Sequence, residues 1–209
     1  MFSLKNGFLV LILTFTFYVQ ANSTKTQILV LGDSLSAGYG LSTQESWVHQ
    51  INQYWLEAQQ PLSLINASIS GETTDAGLAR LPTLIKRHEP QWLIIELGAN
   101  DGLRGFSLNL IKQNLIQLIR IAKENNIKPI LFAMQVPPNY GNRYSKRFSQ
   151  LFYDVAKEYA VPVVPLFIES VVLDPALMQA DGLHPNAKAQ PIIAEKVRTT
   201  LEAILTKSY

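Results

Sequence analysis

Cysteine is absent from the 209 residues. That excludes disulfides, thiolate-bound zinc, iron–sulfur clusters, thiol nucleophiles and a lipoprotein-type acylated cysteine. Charge is sparse too: Lys, Arg, Asp and Glu make up 16% of the chain, with 18 basic against 16 acidic side chains. The two signs are mixed, and no Lys/Arg run reaches the clustering of a nucleic-acid footprint, so no nucleic-acid partner is expected. Glycine and proline number 11 each, too few for a collagen-like or low-complexity chain. Apolar residues are plentiful at 47%, enough to bury a sizeable core. The length suits one domain, at roughly 150 residues per domain.

Met1 to Ala21 reads as an export signal. Lys5 makes a positive start, Phe8 to Val19 is an apolar or weakly polar run, and Val19-Gln20-Ala21 presents compact residues at a cleavage site. The run falls short of the ~20 apolar residues that a bilayer requires, and Asn22-Ser23-Thr24-Lys25 ends it in polar residues. The expected organisation is therefore a signal peptide over 1–21 and one domain over 22–209, periplasmic or secreted. No stable membrane insertion is expected after cleavage, and a monomer is expected.

From there the pattern alternates. Apolar runs at Gln27–Leu31, Leu62–Ser68, Trp92–Leu97, Pro129–Met134 and Val161–Leu166 predict five strands. Stretches of helical period at Ser46–Ala58, Asp75–His88, Leu108–Asn125, Arg143–Tyr159 and Ala187–Leu205 predict five helices, with Pro82 inside the second. Short continuous apolar strands between amphipathic helices indicate a three-layer α/β/α sandwich around a mainly parallel five-stranded sheet. Gly32-Asp33-Ser34-Leu35-Ser36 after the first strand is neither a dinucleotide fingerprint nor a P-loop. In such a sheet the reactive crevice lies beyond the carboxyl ends of the strands.

Four segments meet that demand: Gly32–Ser36, Ala67–Thr73, Gly98–Gly102 and Asp181–Asn186. Ester hydrolysis needs a nucleophile, a base, a group that orients the base, and donors for the oxyanion. Ser34 suits the nucleophile, although Ser34 or Asp33 would equally serve as a helix N-cap. His184 suits the base, and Asp181, three residues earlier, can bend back to accept the imidazole Nδ1–H. Pro185 holds the backbone of His184 out of helix. His49 and His88 lie on helices and read as solvated. Asn100 offers a side-chain N–H₂, and Gly71 permits close approach of a backbone N–H. Each signal is weak singly.

In combination the chain resembles the GDSL (SGNH) hydrolases, whose four letters fall on Ser34, Gly71, Asn100 and His184. The segments LGDSLSAGY, NASISGETT, ARLP, ELGANDGLRG, PNYGNRY and DGLHPN resemble the periplasmic thioesterase I / lysophospholipase L1 / arylesterase group within that family. One departure is Gly98-Ala99-Asn100, where that group usually has two glycines before the asparagine. The resemblance implies the flavodoxin-like SGNH fold, a Ser34–His184–Asp181 triad, and an oxyanion hole from Ser34 N–H, Gly71 N–H and the Asn100 amide. It also implies an acyl-serine intermediate with no cofactor or metal. The implied substrates are small acyl esters and thioesters, lysophospholipids among them. Leu35, Leu103, Val136 and Pro137 are the candidates for acyl-chain contact. Two other readings remain open: a carbohydrate acetyl esterase using Tyr39, Tyr140 or Tyr144 as a platform, and a non-catalytic binding module on the same fold.

Overall fold

The computed structural model describes residues 25–207; the expected export signal lies outside them. In chain order the principal elements are β1 (Thr26–Gly32), α1 (Ser34–Ala37), α2 (Trp47–Glu57), β2 (Leu62–Asn66), α3 (Thr74–His88), β3 (Trp92–Glu96), α4 (Ala99–Leu103), α5 (Leu108–Glu124), β4 (Lys128–Phe132), α6 (Asn142–Glu158), β5 (Val163–Val164) and α7 (Gln190–Thr206). The five strands form one sheet in the order β2-β1-β3-β4-β5, and every pairing is parallel. This is the expected three-layer architecture.

Strand alternation divides the core. Leu29, Leu31, Leu93, Ile95 and Leu131 face the layer of α3, α5 and α6, while Ile28, Val30, Trp92, Ile94, Ile130 and Phe132 face α2 and α7. All of these but Trp92 are fully buried, which is why the strands read as unbroken apolar runs rather than alternating ones. The helices start where the sequence supplies an acceptor: Ser46 caps α2 by accepting from the His49 N–H, and Ser107 caps α5 by accepting from the Leu110 N–H. In α3, Asp75 lies in the first turn and Lys86, Arg87 and His88 in the last, matching the helix dipole. Pro82 sits within that helix, which nonetheless continues to His88.

Three local expectations are corrected. The fifth strand is two residues long, because Pro162 and Pro165 flank it and neither can donate a ladder hydrogen bond. The last helix begins at Gln190 rather than Ala187. Two short helices, α1 and α4, lie where the sequence suggested only turns, each directly beyond a strand end.

Because the strands are parallel, their carboxyl ends share one edge. The chain leaves β1 toward β2 on one side and returns to β3 on the other, so the β1/β3 boundary is the topological switch point of a 2-1-3-4-5 sheet. Ser34 follows β1 and Asn100 follows β3, one on each side of that boundary.

Candidate active site

Asp33, not Ser34, caps α1. Its Oδ1 accepts from the Leu35 N–H at 3.0 Å, leaving Ser34 as the first helical residue with its hydroxyl uncommitted to capping. That hydroxyl lies 2.8 Å from His184 Nε2, and His184 Nδ1 lies 2.7 Å from Asp181 Oδ2. The other carboxylate oxygen of Asp181 accepts from the backbone N–H groups of Leu183 and His184 at 2.9 and 3.0 Å. One aspartate thereby grips both the ring and the backbone of the histidine. The hydrogen bond to His184, followed by that from Leu183 N–H, pulls the Asp181 carboxyl down to about 2, so it is a carboxylate at any working pH. With Nδ1–H donated to it, Nε2 is the basic nitrogen and faces the serine.

The loop carrying His184 is irregular yet anchored. Pro185 is buried and bridges to Met178, and the Asn186 amide donates to the carbonyls of Ala176 and Met178 at 2.8 and 3.1 Å.

The donor side is assembled from two more strand ends. Ile69 N–H donates to the Gly32 carbonyl at 3.0 Å, fixing the loop after β2 against the end of β1. Residues Ile69–Glu72 form a turn closed by Glu72 N–H to Ile69 O at 3.1 Å, with Gly71 at its third position and φ +79°. Arg104 donates to the Gly71 carbonyl at 2.9 Å, and Arg80 holds Glu72 in a two-pronged ion pair while donating to the Ala67 carbonyl at 2.8 Å. Among the described residues, neither Ser34 N–H nor Gly71 N–H has an acceptor within the protein. On α4, one amide N–H of Asn100 donates to Asp33 Oδ2 at 3.1 Å, and its second N–H remains for a ligand.

Beneath these groups lies a polar cluster absent from the sequence-based expectation. Glu96, the last residue of β3, is fully buried, and its Oε2 accepts from Asp33 N–H at 3.2 Å and Ser36 Oγ at 2.5 Å. Burial, reinforced by the nearby Asp33 charge, pushes the Glu96 carboxyl well above the ordinary range. Burial likewise raises Asp33 to about 6, against the opposing pull of the Leu35 N–H. The signal was legible in principle: Trp92-Leu93-Ile94-Ile95-Glu96 is an apolar strand ending in a lone carboxylate. A second buried node ties the helices together. Asp101 accepts from the N–H and hydroxyl of Thr74, and Asn114 donates to the Thr74 hydroxyl at 3.0 Å.

The four candidate apolar residues differ in what they offer. Leu35 is half-buried and packs against both core clusters, while Leu103 and Pro137 are half-buried. Val136 is core, only 6% exposed. Two exposed apolar side chains missed by the sequence reading adjoin site residues in the chain, Leu183 directly before His184 and Ile69 two residues before Gly71, while Tyr39, read there as a possible carbohydrate platform, sets its ring against that of His184. Tyr140 and Tyr144 donate their hydroxyls to the carbonyls of Leu103 and Phe106 at 3.1 and 3.3 Å.

Residues 30–191 match the model of the GDSL-like Lipase/Acylhydrolase family. The chain is 46% identical over 198 residues to the Thioesterase 1/protease 1/lysophospholipase L1 of Escherichia coli K12, covering 95% of this chain and 92% of that protein. It is 45% identical over 181 residues to the arylesterase of Vibrio mimicus, covering 87% of this chain and 90% of the relative. The psychrotrophic esterase EstA of Pseudoalteromonas sp., solved with monoethylphosphonate as inhibitor, superposes with a TM-score of 0.85 at 41% identity over 87% of this chain and all of that one. With the four blocks gathered at one sheet edge and these relatives alongside, the chain belongs to the GDSL-like lipase/acylhydrolase family.

Proposed function

We propose that this protein hydrolyses carboxylic esters and thioesters of acyl chains through an acyl-Ser34 intermediate. The observation that carries the reading is the continuous relay from Asp181 through His184 to Ser34, with spacings of 2.7 and 2.8 Å. His184 Nε2 takes the Ser34 proton as Oγ attacks the carbonyl carbon. The carbonyl oxygen becomes an anion, and Ser34 N–H, Gly71 N–H and the free Asn100 N–H are the donors available to it. Collapse expels the leaving alkoxide or thiolate, which takes the proton from His184 and departs as alcohol or thiol, leaving Nε2 neutral. Water, deprotonated by the same nitrogen, then releases the acid and restores Ser34. Every group in this scheme comes from one chain, so the reading needs no second copy.

Names of relatives include thioesterase, lysophospholipase and arylesterase, and they support acyl esters of that kind, lysophospholipids included, as the substrate class. Leu35, Leu103 and Pro137, with Leu183 and Ile69, supply apolar surface for an acyl chain. The decisive experiment is hydrolysis of p-nitrophenyl esters across acyl lengths, with palmitoyl-CoA and a lysophospholipid in parallel, alongside fluorophosphonate labelling. Turnover and labelling at Ser34, both lost in Ser34→Ala, are expected; a folded protein that neither turns over nor labels is a binding module instead. The Lys5 start and the Phe8–Val19 run further support export, with Asn22 as the mature N-terminus. Mass spectrometry of the periplasmic protein tests this, and an intact Met1 refutes it.

A further inference from the structure

His184 stands on an irregular loop, two residues after Gly182 at φ +66°, and its aspartate partner is partly open to water, with 38% of the Asp181 side chain exposed. A carboxylate so hydrated holds a ring less firmly than a buried one. A second contact is present on the ring's face. The Tyr39 ring centroid lies 4.6 Å from that of His184, tilted by 39°.

The placement of Tyr39 is built rather than incidental. The residue is 52% exposed, so burial does not explain its position. Its N–H donates to the Ser34 carbonyl at 3.1 Å, and its carbonyl accepts from Gln179 Nε2 at 2.7 Å. It is flanked by Gly38 and Gly40, at φ +75° and +73°, a conformation that side chains rarely adopt. A Cβ on Gly40 would fall 2.5 Å from Gln179 Oε1. The same Gln179 donates its backbone N–H to the His184 carbonyl at 2.7 Å and its side chain to the Pro185 carbonyl at 3.2 Å. A single glutamine thus sets the spacing between the loop that carries the nucleophile and the loop that carries the base.

We propose that Tyr39 is a positioning residue for the His184 base, its ring restricting imidazole rotation and facing the positive charge acquired with the Ser34 proton, and that Gln179 holds the two loops in register. The inference rests on the relay proposed above. An aromatic face favours a cation more than a neutral ring, so the contribution falls on the transition state rather than on substrate binding.

The test is steady-state hydrolysis of p-nitrophenyl acetate, with the rate of fluorophosphonate labelling of Ser34 as a readout independent of acyl binding. Tyr39→Leu is expected to lower kcat by about 2- to 30-fold at a KM within twofold, and to slow labelling by the same factor. Tyr39→Phe, which keeps the ring, is expected to retain both. Gln179→Glu keeps the shape but removes the donor to the carbonyls of Tyr39 and Pro185, and is expected to lower kcat in the same direction. Thermal midpoints establish that each variant is folded. The proposal is overturned if Tyr39→Leu keeps both rates, if Tyr39→Phe loses as much as Tyr39→Leu, or if only KM rises. An unmodified protein that fails to label would remove the relay itself, and this inference with it.

Discussion

At Ser34, one residue of register separates a capping hydroxyl from the proposed nucleophile. Asp33 takes the cap, so Ser34→Ala is expected to abolish ester hydrolysis while leaving the thermal midpoint unchanged; retained turnover in a folded variant would withdraw the nucleophile assignment. Asn100 does two things at once, donating to Asp33 and presenting a second N–H. Since a ground-state carbonyl uses an oxyanion donor weakly, Asn100→Ala is expected to lower kcat by on the order of 10²–10³, about 2.7–4 kcal/mol, with KM little changed. A rise in KM at constant kcat would make Asn100 a binding residue instead.

The short helix α4 accommodates the alanine at position 99. Gly98, at φ +117°, occupies the one position that requires a left-handed residue, and Ala99 is already the first residue of the helix. Ala99→Gly is therefore expected to leave activity intact and to cost about 0.5–1 kcal/mol in urea unfolding, from backbone entropy. Gly102, on the same helix, has no such latitude. A Cβ there would sit 2.5 Å from Val136 Cγ1 and 2.7 Å from the ring of fully buried Phe148. Gly102→Ala should destabilise the protein by about 1–3 kcal/mol, through overpacking between α4 and α6. A variant as stable as the parent would show that the loop before α6 yields to make room.

Over the whole molecule, the buried carboxyls of Asp33 and Glu96 beside Ser34 couple stability to pH. A folded-state value above the unfolded one means that the native protein binds more protons in between, so stability present below the unfolded value is lost as pH rises. For Asp33 that window runs from 3.8 to about 6, and for Glu96 it starts at 4.5 and extends well above. Glu96→Gln keeps an acceptor for Asp33 N–H and Ser36 Oγ without the ionisable proton. Its stability relative to the parent is therefore expected to rise as pH increases above 4.5 in denaturant titrations. A difference independent of pH would mean that Glu96 is not the group responsible.

Much of this was legible in the chain itself. Strands buried on both faces leave unbroken apolar runs, amphipathic helices leave a 3.6-residue period, and together these dictate a parallel sheet between two helical layers. The Asp181–His184 spacing was readable too, because a carboxylate and an imidazole three residues apart meet through local geometry alone. What the sequence could not determine depends on groups distant in the chain. That Asp33 rather than Ser34 is the cap follows from the backbone turn at the end of β1. That Glu96 lies beneath Asp33 follows from the β1–β3 register, Gly32 opposite Glu96. The length of β5, the seat of Val136 in the core and the ring of Tyr39 over His184 were likewise decided only when the chain closed on itself. Periodicity reports which face of an element is buried, but a contact between residues separated by a hundred positions leaves no local pattern to read.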